Sequence, residues 1–547
     1  MKILNSINKK KLYYFYILCV LIIKLILVSP IRIFANSSAF YDDAMLVNHA
    51  NSLLSYLWLG QYNEITLAKG IVFPIYLTVL HQFSIPYLIG NTLLCFCTAL
   101  FFIIVASKLI KSKIILATIY TILMFNPITY ASATYSRVYR DSIYQYLVII
   151  LFSFIVAVYL SKEKSVKRLL FYCVGSGIFL SLVWFTREDS LWVIPFVGAA
   201  LIISACFIIF NKQTTKRALR LSCLALPILI LLICHTTIAA INYKYYGVFI
   251  TNDYLEGNFP KAYKALSLVK PVDWQASVPV TKLTREKIYA VSPSFMKLKP
   301  YLENNHFETS LMGNANGGAF PWALRDTVTQ AGITDAKSQQ IFYQKLADEI
   351  NIALTSGKLE SRSGYIFTFV SPWDNRYLMP LQNSFSQALD MVINFKGMSF
   401  TSLNSIGDNA SIRYFELITN NHAYYASDQI LPSGKLNILS SFSRYYSKCS
   451  FPFFILGMLC YCYISLRLIL SLKSKKYLLF NEWVILTGFM LSLLLRLLLT
   501  SYTSISSFPA NNYMYLAVAY WIVLIFTSLS VSIVIDDIHK SLIKAGF

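Results

Sequence analysis

Apolar residues fall in long runs separated by short polar stretches, at 12–34, 86–107, 113–130, 141–160, 168–185, 190–211, 220–243, 450–470, 480–501 and 511–535. Each run is close to the ~20 residues that carry a helix across a bilayer. The pattern predicts an all-α polytopic membrane protein of about ten spans. The first run also resembles a signal peptide, with "IFA" as a cleavage site, but it is longer than the ~7–15 apolar residues of such a segment and reads as an uncleaved span. An eleventh run, "GIVFPIYLTVLHQF" (70–83), is shorter, carries Pro74, and predicts an interfacial or re-entrant piece.

Charge orients the spans. Lys9-Lys10-Lys11 and the loops "KLIKSK", "SKEKSVKR", "NKQTTKRALR" and "SLKSKK" are basic, which puts them and both termini in the cytoplasm. Counting 70–83 as a span would break this alternation. The outer face then receives the loop 35–85, "NPITYASATYSRVYRD", "FTREDS", the long polar region 244–449 and "SISSFPAN". Composition agrees: 56% of residues are apolar and the mean hydropathy is +0.54. The formal net charge of +22 sits mostly in those cytoplasmic clusters, which face anionic lipid and give no reason to expect nucleic acid. The ten cysteines lie in apolar runs or, for Cys449, at the edge of one, so neither disulfides nor a thiolate metal site is expected.

Three parts follow: an N-terminal transmembrane module 1–243, an extracytoplasmic domain 244–449 that is mainly α or α+β, and C-terminal transmembrane helices 450–547. In the middle part Phe342, Leu346, Ile350 and Leu354 recur every four residues ahead of Gly357, predicting one amphipathic helix. "TREKIYAVSPSFMKLKPYLEN" predicts helix in pieces, broken at Pro293.

Candidate chemistry clusters at outer span ends. "FYDDAMLVNHANSLLSYLWLG" opens with Asp42 and Asp43, then repeats apolar residues at helical spacing up to Gly60. One aspartate can cap such a helix; the second is left for a base or a cation ligand. "YSRVYRD" supplies Arg137, Arg140 and Asp141, and "FTREDS" supplies Arg187, Glu188 and Asp189. Each loop alone reads as a solvated turn capping the next helix. Together they set acids and arginines at one membrane depth, where charge is costly unless paired or used. Lys69 and Arg496 lie near the same boundary, either snorkelling to headgroups or holding a lipid phosphate. Trp274, Trp322 and Trp373 in the outer region are core residues or sugar-stacking faces. Gly317-Gly318 is a turn signal. Lys24 and His235 fall inside spans and predict pairing within the bundle.

The acid pair opening a juxtamembrane helix, followed by a lysine before a short Pro-containing segment, resembles the first outer loop of GT-C glycosyltransferases of the protein mannosyltransferase and aminoarabinose-transferase type. The likeness covers the first 210 or so residues best. Gly70 follows Lys69 where that family usually has proline, and Met45 stands where the aminoarabinose transferases carry an arginine. The resemblance implies transfer of a sugar from a polyprenyl phosphate or diphosphate to an envelope polysaccharide, lipid or protein on the outer face of the cytoplasmic membrane. It makes Asp42 the general base, with Asp43 second. It turns Lys69, Arg137, Arg140 and Arg496 toward the donor phosphate. Asp141, Arg187, Glu188 and Asp189 would support the sugar, the acceptor or a metal, with Asp141 holding Arg140. The chemistry is compatible with a divalent ion, Mg or Mn, on Asp43 and Asp141.

Three rival classes make different demands. A glycolipid flippase predicts internal repeats and midplane charges, and the sequence has no repeat. A polysaccharide polymerase or ligase would rest on arginines more than on the acid pair. A purely structural membrane protein gives no reason for three charged loops at one depth.

Overall fold

The computed structural model describes residues 2–304, 313–362, 370–428, 433–473 and 477–544. Their regular structure is helical, with only isolated β-bridges and no strand among them, so the protein is an all-α multi-pass membrane protein. Nine of the described helices are long and apolar enough to span: Lys11–Val28, Tyr87–Ala106, Asp141–Ser161, Val166–Trp184, Ser190–Phe210, Arg217–Tyr246, Gly434–Leu472, Phe480–Ser506 and Ala517–Lys540. The run 113–130 gives a tenth, shorter helix, Lys113–Met124. At 1.5 Å per residue its 12 residues cover about 18 Å. Pro127 then starts a 3-10 turn capped by Asn126, and the rest of the run continues in turns instead of a straight helix. The last residues of the "SLKSKK" loop, 474–476, lie outside the described residues.

The Asp141–Ser161 and Ala517–Lys540 helices are the almost wholly buried centre of the bundle, joined by a hydrogen bond from Trp521 Nε1 to Gln145 Oε1 at 3.0 Å. The first helix packs on the side. Its Lys24 is fully buried, and Nζ donates to the Met124 carbonyl and Thr129 Oγ1, both at 2.6 Å. That helix stops at Val28, short of the predicted 34, because Pro30 disfavours helix at the residue before it. The freed residues instead form single bridges: Ile33 to Ala423, Phe34 to Arg137 and Asn36 to Ile406.

The 70–83 piece is an 11-residue helix, Val72–Gln82. In the long polar region, Ala336–Thr355 forms the predicted amphipathic helix, capped by Asp335 and stopped near Gly357 at φ +76°. Helix also forms on both sides of the break before Pro293, as Lys282–Tyr289 and Pro293–Leu302. Phe259, Leu266, Phe295, Leu324, Leu346 and Ile350 meet in one core drawn from 254–359 together with Ala68. Residues further on, including Ala388, Val392, Ile412 and Phe415, pack instead into the core of the bundle. The stretch 244–449 therefore has two packing partners, its own core and the membrane helices.

Candidate active site

The loops after Val28, Met124, Trp184, Tyr246 and Ser506 meet at one end of the bundle around a cavity of about 420 Å³, within the ordinary size range of small-ligand sites. Asp42, Lys69, Arg140, Arg187, Glu188, Asp189 and Arg496 all line it. Residues some 450 positions apart are thus brought together.

The acid pair sits in a π-turn, Phe40–Ala44, that runs directly into the helix Met45–Leu54. Neither start carries a side-chain cap, so neither aspartate is spent on capping. The helix also ends at Leu54, with Tyr56 at φ +60° turning the chain before Gly60 is reached. Consecutive positions give the two acids different surroundings. Asp42 lines the cavity with its side chain 45% exposed. It pairs with Lys69 Nζ and accepts from Tyr139 OH at 3.0 Å. Lys69 Nζ in turn donates to Tyr139 OH at 3.1 Å. Burial alone would raise the Asp42 carboxyl, but Lys69, Arg137 and Arg140 outweigh it and hold it down at about 2. Asp43 is fully buried and accepts a two-pronged contact from Arg137, Nε at 2.8 Å and Nη2 at 2.6 Å.

Lys69 is positioned by its neighbours. Asn63 and Thr66 bond to each other at 2.7 Å and wind the chain, Leu67 O accepts from Asp253 N at 3.0 Å, and Ala68 O accepts from Asn252 Nδ2 at 3.0 Å. Gly70 is where the family pattern has proline, and the reason is steric. A Cβ there would overlap the Phe185 carbonyl oxygen, and Gly70 N donates to Glu188 Oε1 at 3.2 Å, a bond proline lacks the hydrogen to make.

The remaining charges pair across loops. Glu188 Oε1 also accepts from Arg140 Nη1 at 2.7 Å and Asn252 Nδ2 at 3.4 Å. Asp141 pairs with Arg187, not with the adjacent Arg140. As the first residue of its helix it is buried beneath the loop 185–190, and Arg140 is already taken by Glu188. Asp189 accepts from Arg187 Nε at 2.8 Å and Arg496 Nη1 at 2.8 Å. Burial opposes its charge, but those two guanidiniums hold its carboxyl well below the usual carboxylate range. Arg496 spends its other nitrogens on the Tyr515 carbonyl, at 2.7 and 3.1 Å. Arg137, given to the phosphate on sequence grounds, lies outside the cavity lining and is held by Asp43.

The two acids assigned to a metal, Asp43 and Asp141, are each engaged by an arginine. Asp141 keeps one buried oxygen, Oδ2, without a hydrogen-bond partner. Among the described residues no group of three or more His, Cys, Asp or Glu is placed to hold an ion, so this donor set does not fit a divalent metal.

Several lining residues carry no motif. Tyr139 stands between Arg137 and Arg140 in sequence and could be found only by its position. Tyr254, Tyr515 and Phe508 come from distant loops. Trp322 lines the cavity, whereas Trp274 stacks under Arg376 at 3.8 Å and Trp373 packs near Tyr377 and Tyr502. Gly317 also lines it; a Cβ there would come within 2.7 Å of Ser507 Oγ and 3.0 Å of Ser507 Cα, so this glycine lets the polar region close against the end of the Phe480–Ser506 helix. His235 is outside the site, paired with Glu256 at 2.8 Å.

No protein-family profile matches the chain, and no curated protein matches it. Among solved structures it aligns with the crystal structure of ArnT from Cupriavidus metallidurans in the apo state, at 12% identity over 95% of this chain and 78% of that one, with a TM-score of 0.32. It also aligns with the same protein bound to undecaprenyl phosphate, at 13% identity over 95% and 77%, with a TM-score of 0.30. At these TM-scores the likeness carries no inference about this chain.

Proposed function

We propose that the protein is a glycosyltransferase of the cytoplasmic membrane that moves a sugar from a polyprenyl phosphate or diphosphate to an envelope polysaccharide, lipid or protein on the outer face, both termini being cytoplasmic. The observation that carries this reading is the Asp42 carboxylate beside the Lys69 ammonium on a cavity lined by arginines and aromatic rings at one end of the bundle. The acceptor oxygen attacks the anomeric carbon, its proton passes to Asp42, and the bond from that carbon to the phosphate oxygen breaks. Lys69, Arg140 and Arg187 face the phosphate and stabilise the charge that gathers on it. A carboxyl held near 2 is a weak base. When Lys69 turns from Asp42 to the arriving phosphate, Asp42 loses its nearest cation and becomes a stronger one. Asp43, clamped by Arg137, positions the turn and does not touch substrate. Asp43, Asp141, Glu188 and Asp189 stay committed to arginines, and the proposed reaction assigns no step to a metal.

The test is Asp42→Asn in full-length protein that expresses normally. Transfer of labelled sugar from a polyprenyl-phosphate donor into the membrane fraction should fall at least ~100-fold, the scale of losing a general base. Wild-type transfer in that variant would remove Asp42 from the reaction. Movement of the lipid-linked sugar across vesicles with no new glycosidic bond would replace the transferase with a flippase.

A further inference from the structure

We infer that Tyr139 is the positioning residue of the base: its hydroxyl holds Oδ1 of Asp42 and leaves Oδ2 as the atom that takes the acceptor proton; this rests on the transferase reading above. Tyr139 lines the cavity between two charges. Its OH accepts from Lys69 Nζ at 3.1 Å and donates to Asp42 Oδ1 at 3.0 Å. Chemistry fixes those directions, because an ammonium only donates and an ionised carboxylate only accepts. Lys69 pairs with the same carboxylate oxygen, Oδ1. Both side-chain contacts of Asp42 therefore end on one oxygen, on a carboxylate that is half-exposed to the cavity.

The two partners of Oδ1 differ in how firmly they are held. Lys69 reaches it on a long flexible stem. Tyr139 reaches it on a rigid ring with few torsions. Cations box that ring in: Lys69 Nζ lies 5.1 Å from its centroid, Arg137 Cζ 4.7 Å and Arg140 Cζ 5.7 Å. The backbone is tied as well, since Tyr139 O accepts from Ser142 N at 3.0 Å where the Asp141–Ser161 helix begins. When Lys69 turns to the arriving phosphate, the lysine leaves Oδ1 and the hydroxyl stays. The carboxylate keeps its orientation, and Oδ2 is left toward the acceptor. The acceptor O–H bond breaks, a new O–H bond forms on Oδ2, and the phenol keeps its own proton throughout. It can do so because burial outweighs the nearby arginines and pushes the Tyr139 hydroxyl well above its ordinary value of 10.

Tyr139→Phe keeps the ring and removes only the hydroxyl. Full-length wild type and variant are purified in detergent. The Asp42 carboxyl band is followed against pH by infrared difference from the matching Asp42→Asn protein, with and without undecaprenyl phosphate. In wild type the lipid should raise the midpoint, as Lys69 leaves Asp42 for the phosphate. In Tyr139→Phe the midpoint should lie about half a unit or more above wild type in both states, since a donor to the charged form is gone. Equal midpoints in the two proteins overturn the inference. The band should also move to higher wavenumber in the variant, because a proton on Oδ2 leaves Oδ1 as the carbonyl oxygen and the hydroxyl as its donor. A band at the same wavenumber overturns the choice of Oδ2. If the lipid leaves the wild-type midpoint where it was, the transferase reading fails and takes the role of base with it, while a ligand-free difference still shows the hydroxyl holding Asp42. Transfer gives a second readout, with undecaprenyl phosphate carrying labelled glucose, mannose or arabinose as donor. In Tyr139→Phe, kcat should fall about tenfold or more, with donor KM within about twofold of wild type and the acid limb of kcat moved to higher pH. A lower Tm and a raised KM with the acid limb in place would make Tyr139 a packing residue only, and overturn the inference.

Discussion

Asp42 and Asp43 are adjacent in sequence and opposite in circumstance. Asp43 is a buried ion with one partner, so removing the charge strands Arg137. Asp43→Asn should cost about 3–5 kcal/mol, the scale of breaking a buried pair, seen as a lower Tm in detergent, and the double variant Asp43→Asn/Arg137→Gln should recover part of it. Asp42→Asn should leave Tm much closer to wild type while transfer is lost. The pH response has a definite sign. The Asp42 carboxyl is held below its ordinary value of 3.8, at about 2, so its ion-pair stability is fully present above 3.8 and fades as pH falls through about 2. An infrared carboxyl band attributable to Asp42, by difference from Asp42→Asn, should therefore be absent at pH 4 in the ligand-free protein. The sequence made Asp42 and Lys69 legible, because charges at a span end stand out against an apolar background. It did not reveal which charge pairs with which. Arg187 meets Asp141 across 46 positions and Arg496 meets Asp189 across 307, and neither composition nor periodicity encodes such pairings.

At the scale of elements, run length was a good guide to helices and a poor one to their ends. Pro30 stopped the first helix early, and the run 113–130 became a short helix followed by turns. The π-turn at Phe40–Ala44 had no signature, since its residues fit an ordinary first helical turn equally well. Gly60 was the visible stop signal, yet the chain turned earlier, at Tyr56. Gly70 and Gly317 matter through what they allow to approach. Gly70→Ala forces a Cβ against the Phe185 backbone where the chain after Trp184 crosses the Lys69 loop, and should cost about 1–3 kcal/mol, read as a fall in Tm. Glu188→Gln weakens the grip on Arg140 and Gly70 N while keeping the shape. Its expected effect is a raised KM for the donor, with Tm changed less than in Gly70→Ala; an unchanged KM would show that Arg140 is positioned without it.

The whole molecule joins a membrane bundle to a helical unit with its own core, and the cavity lies where they meet. The join includes a hydrogen bond whose donor is held by an ion pair. Arg325 is clamped by Asp253 at 2.6 and 2.8 Å and donates Nε to the Glu64 carbonyl at 2.8 Å, tying the 254–359 core to the loop that carries Lys69. Arg325→Met should lower Tm and, by loosening that loop, reduce transfer even though Arg325 is outside the lining; activity at wild-type level would show that the two units hold together without it. Transfer should also be unaffected by EDTA, measured in the same membranes. The pairing itself has a further consequence. Asp42, Asp43, Asp141, Glu188 and Asp189 face Lys69, Arg137, Arg140, Arg187 and Arg496, five charges against five, in a region where an odd charge is expensive. Such a site cannot drift one residue at a time. A lineage that changes its substrate here would have to exchange an acid and a base together, so among relatives these ten positions should vary in couples or not at all.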